Sequence, residues 1–331
     1  MADQKENKLD IEMNKPLVEH IFTADPSAHV FNGRIYIYPS HDQDIEIPSD
    51  DEGNQYQMID YHVLSMGIGD KEVTDHGVAL SLEDISWASK QLWAPDAAFK
   101  NGKYYFYFPA RDKEGIFRIG VAVGDRPEGP FVPEENYIPG SYSIDPAVFV
   151  DDDGRSYMYF GGLWGGQLQN WQTGTFDKSA QPPEGDELAL GVLVAELSDD
   201  MLTFKAPASE SKILDDTGRA FTAKEEDQRF FEGPWMHKYN GLYYLSYSTG
   251  TTHCLVYATA ESPMGPFTYR GRILEPVLGW TTHHSIVEFE GRWYLFYHDA
   301  SLSGGIDCKR SVKYSELTYA DDGTINMVKP E

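Results

Sequence analysis

The 331-residue chain sets 27 Lys and Arg against 53 Asp and Glu, a formal net charge of −26. That field repels nucleic acid and anionic membranes and suits neutral partners such as sugars. The two cysteines, Cys254 and Cys308, provide neither a disulfide framework nor metal-type spacing, and no run of about 20 apolar residues offers a membrane span.

The opening MADQKENKLDIEMNK is polar and charged, without the apolar centre of a signal peptide. It sets the expectation of a cytoplasmic protein with an N-terminal tail over 1–13 and one folded unit over 14–331. Within that unit a degenerate repeat governs the reading of the elements. Its copies are ADPSAHVFNGRIYIYPSHD (24–42), WAPDAAFKNGKYYFYFPAR (93–111), IDPAVFVDDDGRSYMYFGG (144–162), EGPWMHKYNGLYYLSYSTG (232–250) and THHSIVEFEGRWYLFYHDA (282–300). Each reads as an apolar strand, a turn ending in Gly, and a Tyr/Phe-rich strand, which is a β-hairpin. The third copy is one residue longer at Asp151, Asp152, Asp153 and Gly154, which read as its turn.

Third strands follow in IGVAVGDRPEGPF (119–131) and LVYATAESPMGPF (255–267), with LVAELSDDMLTF (193–204) as a weaker relative. Three or four strands per unit, repeated five times without a helical period between them, predict an all-β fold, a single five-bladed β-propeller. Two long intervals, 41–55 and 161–187, are expected as loops on one face. The second carries Trp164, Gln167, Asn170 and Trp171, residue types that line sugar clefts. The acidic stretch from Asp42 to Glu52 reads as a solvated loop.

The innermost strand of each blade surrounds the central channel, so the opening positions of the repeats should converge. They are Asp25, Trp93, Asp145, Glu232 and His283. Glycosidic bond cleavage needs one carboxylic acid to protonate the leaving oxygen and a second carboxylate across the sugar. A third can hold the acid protonated by like-charge proximity, and an indole can stack on a sugar face. Asp-Pro and Glu-Gly are also ordinary turn pairs; their recurrence at matching places in different repeats favours chemistry. His29 and His41, near the opening of the first repeat, either touch substrate or serve the structure.

The strings TADPSAHVFNGRIYIYPSHD, WAPD, SIDPAVFVDDDG, FFEGPWMHK and THHSIVEF resemble glycoside hydrolase family 43, in order and across almost the whole chain. The resemblance implies an inverting enzyme. Asp25 would be the general base, Asp145 the carboxylate that tunes and orients the acid, and Glu232 the general acid. Trp93, Ile144, Phe231, His41 and Arg310 become the expected sugar contacts. The family places a calcium ion near a fifth-blade histidine, which is His283 here, with His284 as the other candidate ring; no organic cofactor is implied. The expected activity is release of terminal xylose or arabinose from xylo- or arabino-oligosaccharides. Alternatives are an endo-acting arabinanase or xylanase with an open groove, and a non-catalytic sugar-binding propeller. Five-bladed fructose-transferring enzymes typically carry an Asn-Asp-Pro-Asn-Gly-type phrase where this chain has Thr-Ala-Asp-Pro-Ser.

Overall fold

The computed structural model describes residues 9–330. Five sheets follow one another along the chain, each with an inner strand: Phe22–Phe31, Asp96–Lys100, Ala147–Val150, Phe230–Tyr239 and His284–Phe289. These inner strands touch in cyclic order and close a ring, so the protein is a five-bladed β-propeller. Antiparallel partners extend every blade outward: Arg34–Asp42, Lys103–Asp112, Ser156–Phe160, Leu242–Thr249 and Arg292–Asp299.

Turn chemistry explains the hairpins. Asn32-Gly33, Asn101-Gly102, Asn240-Gly241 and Glu290-Gly291 all hold positive φ at both central residues, the mirror-image turn whose twist matches the flanking strands. In the third blade the loop Asp151–Arg155 takes one extra residue, closed by a bond from the Asp151 N–H to the Arg155 carbonyl (2.8 Å).

Hydrogen bonds stitch every blade junction close to the axis. Ser27 Oγ donates to the Pro95 carbonyl (2.6 Å), the Val148 N–H to Asp96 Oδ2 (2.5 Å), and the Gly233 N–H to Asp145 Oδ2 (3.0 Å). Trp235 Nε1 donates to the Ile286 carbonyl (2.9 Å), and the Ala28 N–H to Ser285 Oγ (2.9 Å). The apolar core fills the seams between blades, with Tyr107, Phe106 and Phe108 fully buried among others. Truncating one such ring to Ala costs about 3–5 kcal/mol. Cys254 and Cys308 are free, buried thiols.

The fifth blade has only three strands, ending at Ser311–Leu317. Its outer edge is covered by the N-terminal segment, whose Asn14 and Leu17 N–H groups donate to the carbonyls of Tyr314 and Val312. Of the tail expected over 1–13, residues 1–8 lie outside the described residues. The remainder packs: Leu9 is buried, and Ile11 and Met13 lie against the seam between the first and fifth blades. Apolar residues spaced through a polar stretch are enough to dock it.

Candidate active site

Asp25, Trp93, Ile144, Asp145, Phe231, Glu232, His283 and Arg310 line a single cavity of about 280 Å³ at one end of the channel. Backbone geometry delivers the carboxylates. Asp25 (φ 48°) and Asp145 (φ 58°) occupy the left-handed region, each immediately before a proline. Glu232 lies between two register shifts in its strand. Such conformations cost about 1–3 kcal/mol each and persist where the surroundings over-determine them. Here they turn the side chains out of the strand and onto the axis.

Asp25 is almost wholly buried yet ionised. Burial alone would raise its pKa, but Arg310 beside it, with His283, holds the carboxyl well below the usual range. Arg310 Nη1 and Nη2 lie 3.0 and 3.3 Å from the two Asp25 oxygens, and Ser40 Oγ donates to Oδ2 at 2.6 Å. The Asp25 N–H donates to His298 Nδ1 (2.9 Å), so that nitrogen is an acceptor and the His298 proton sits on Nε2, facing the Thr281 carbonyl (3.1 Å). Burial lowers the His298 pKa to about 3, which keeps the ring neutral.

Glu232 behaves oppositely. Burial first, then the neighbouring Asp145 charge, pushes its pKa up, with Asp25 adding to the effect. Asp145 is raised less, again mainly by burial, and its Oδ2 accepts the Gly233 N–H. One cavity therefore presents a carboxylate that stays ionised and a carboxyl that keeps its proton at neutral pH. This is the division a general base and a general acid require.

Arg310 lines the cavity, but its guanidinium is committed elsewhere. Nε and Nη2 form a bidentate pair with Asp42 (2.9 and 2.8 Å), and Nη1 bonds Thr281 Oγ1 (2.9 Å) as well as Asp25. Its plane lies over the Tyr56 ring at 4.9 Å. Protein groups thus satisfy its donors, Asp42 gripping one edge and Asp25 the other, while the residue still lines the cavity.

The walls are aromatic. Trp93 donates its indole N–H to the Tyr56 carbonyl (3.0 Å) and lies so close over Gly53 that a Cβ there would stand 2.6 Å from the ring. Phe231 meets Trp164 edge-on at 5.5 Å, and Trp164 stacks on Trp280 at 5.7 Å. Both long loops contribute to the wall, through Ser49, Asp50, Asp51, Gly53 and Gln55 and through Leu163 to Gly166. Trp171, Gln167 and Asn170 instead pin the second loop: Trp171 stacks on Tyr142, Gln167 accepts the Phe117 N–H, and Asn170 donates to the Asp177 carbonyl.

Several expectations change. His41 does not reach the cavity; its Nδ1 sits 2.5 Å from Asp60 Oδ1 on the other face of its strand. Side chains alternate along a strand, and the inward position belongs to Asp42, which is buried against Arg310 rather than solvated. Asp50 and Asp51 of the same acidic stretch also face the cavity. His284 is fully buried with Nε2 2.6 Å from Ser246 Oγ, leaving His283 as the fifth-blade ring at the axis; His29 bonds Asp96 between blades. Tyr56, Trp280 and Thr281 are cavity residues that the repeat does not mark, because they lie outside it.

The donor set around His283 suits only a largely hydrated cation. It offers one imidazole, 3.6 Å from an Asp25 oxygen already engaged by Arg310, beside the Asp145 and Glu232 carboxyls.

The family model described as glycosyl hydrolases family 43 matches residues 71–325. Xylosidase/arabinosidase 43A of Humicola insolens is 64% identical over 96% of this chain and 99% of its own length. A xylosidase/arabinosidase of Bacteroides ovatus is 56% identical over 95% and 97%. Among solved structures, a family 43 β-xylosidase/α-arabinofuranosidase from a compost metagenome, crystallised with xylotriose in a calcium-free form, superposes with a TM-score of 0.94. It is 62% identical, covering 96% of this chain and 97% of that one.

Proposed function

This chain belongs to glycoside hydrolase family 43, and from that premise we propose that it is an exo-acting, inverting glycosidase that releases terminal xylose or arabinose from xylo- or arabino-oligosaccharides. The observation that carries the reading is the opposed protonation of Asp25 and Glu232 in one aromatic-walled cavity. Glu232 gives its proton to the leaving glycosidic oxygen while Asp25 takes one from the attacking water, so charge moves across the sugar in a single step. Asp145 keeps Glu232 protonated by like-charge repulsion and ties its strand through the Gly233 N–H. Arg310 holds Asp25 ionised and in place.

The relatives' named activities on xylosides and arabinosides and the bound xylotriose of one of them support this substrate class. Two loops that wall the cavity favour a pocket for a chain end over an open groove. A sugar-binding propeller would gain nothing from carboxyls driven to opposite protonation states. We place calcium at His283, with water as its main ligand; bound there, it would offset the carboxylate charge around the axis.

The test is hydrolysis of p-nitrophenyl β-D-xylopyranoside and α-L-arabinofuranoside, with the anomer released from xylobiose read by NMR. Turnover with an inverted first product is expected. A retained configuration would overturn the base role of Asp25, and cleavage confined to long arabinan or xylan would overturn exo action.

A further inference from the structure

On the face of the first blade turned away from the cavity, His41, Asp60 and His62 come together. One ligand atom from each lies within 4.8 Å of the other two. Strand geometry produces the cluster. Arg34–Asp42 and Asp60–Met66 are antiparallel neighbours, and His62 shares a face with Asp60 because it is two residues further along. The two rings meet edge-on with centroids 4.9 Å apart. All three side chains are mostly buried, with 16%, 19% and 14% of their surface exposed.

The surroundings are ordered around one of the rings. His62 Nδ1 faces both oxygens of Asp75, at 3.0 and 3.1 Å. Asp75 is itself fixed by the Gly77 N–H (2.8 Å) and by His20 Nε2 (2.7 Å) of the N-terminal segment. That contact places the His62 proton on Nδ1 and leaves Nε2 as a lone-pair donor. Among the described residues, neither His41 Nε2 nor His62 Nε2 has a protein hydrogen-bond partner. Each ring thus pairs one nitrogen with its own carboxylate, His41 with Asp60 and His62 with Asp75, and keeps the other free of protein partners among the described residues.

We propose that His41, Asp60 and His62 bind a divalent transition-metal ion of the zinc class, with Asp75 orienting His62. Two imidazoles and one carboxylate are a zinc-type set, whereas calcium prefers a shell of oxygens. A carboxylate behind a metal-binding histidine is the usual outer partner of such ions. The site joins two strands of the first blade and, through Asp75 and His20, the segment that covers the fifth blade. Its occupancy therefore strengthens ring closure.

Chelator-stripped protein, with calcium in excess to saturate the channel position, is titrated with Co2+ and then Zn2+. The wild type is expected to take up one Co2+ per chain with visible d–d absorption, release it to Zn2+, and melt at higher temperature with Zn2+ than without. His283→Ala retains this equivalent, while His62→Ala and Asp60→Ala lose it. Asp75→Asn keeps all three ligands and weakens Co2+ affinity by about 10–100-fold; it carries the test alone if the ligand variants do not fold. The proposal is overturned if His62→Ala or Asp75→Asn binds Co2+ as the wild type does, or if the wild type takes up none.

Discussion

Arg310 donates to both carboxylate oxygens of Asp25, at 3.0 and 3.3 Å, from a position 285 residues further along the chain. The same guanidinium is locked from its other edge by Asp42 (2.9 and 2.8 Å). A lysine cannot reproduce two bidentate grips. In Arg310→Lys the Asp25 carboxyl should rise toward its ordinary range, since Arg310 is the largest influence holding it down. The acid limb of the kcat/KM profile then moves to higher pH, and kcat falls by about 10²-fold, the lower end of a general base's contribution. A change confined to KM with an unmoved pH profile would mean that Arg310 serves the sugar instead.

Glu232 and Asp145 form the other half of the site. Glu232→Gln removes the donated proton, and kcat should fall by about 10²–10⁴-fold with KM little changed. Substrates whose leaving group needs no proton should suffer least. In Asp145→Asn the like charge is gone, so the Glu232 pKa drops, though burial still holds it above its ordinary value. The basic limb of kcat/KM, which reports loss of the Glu232 proton, then shifts to lower pH. A basic limb that stays in place would show that Asp145 acts on orientation alone.

The parts of the site legible in the sequence are those the repeat carries. Asp25, Asp145, Glu232 and His283 open inner strands, so symmetry alone sends them to the axis. The partners that set their chemistry come from elsewhere. Asp42 and Ser40 lie at the end of a second strand, and His298 on a second strand of the fifth blade. Choosing between His41 and Asp42 depends on strand register. The shift between Ala24 and Ser27 alters that register locally, and one residue of slip exchanges the two faces. The docking of residues 9–13 was hidden for a different reason: a few apolar side chains suffice when a three-stranded blade leaves an edge to cover.

Gly233 is where fold and chemistry constrain one residue twice. Its φ of 63° favours glycine, and a Cβ there would stand 3.1 Å from His283 Cδ2. Gly233→Ala should lose about 1–2 kcal/mol to the left-handed backbone, lowering Tm by a few degrees. It should also lower kcat, because the displaced strand carries Glu232 and the N–H that holds Asp145. Thermal melts beside kinetics on one aryl glycoside separate the effects: a lower Tm with unchanged kcat would show that the His283 ring yields freely.

Calcium at the axis would join a crowded set of charges. One guanidinium and one imidazole, Arg310 and His283, face three carboxyls there, and Arg310 is already shared with Asp42. Cation removal should therefore lower activity by disturbing the charge around Asp145 and Glu232 more than by unfolding a ring that is hydrogen-bonded at every junction. Chelated enzyme is expected to lose activity several-fold, regain it with calcium, and show little change in Tm on adding the ion. His283→Ala should match the chelated wild type and gain nothing from calcium. Full calcium activation of His283→Ala would move the ion to other ligands, and a loss of Tm as large as the loss of activity would make its role structural.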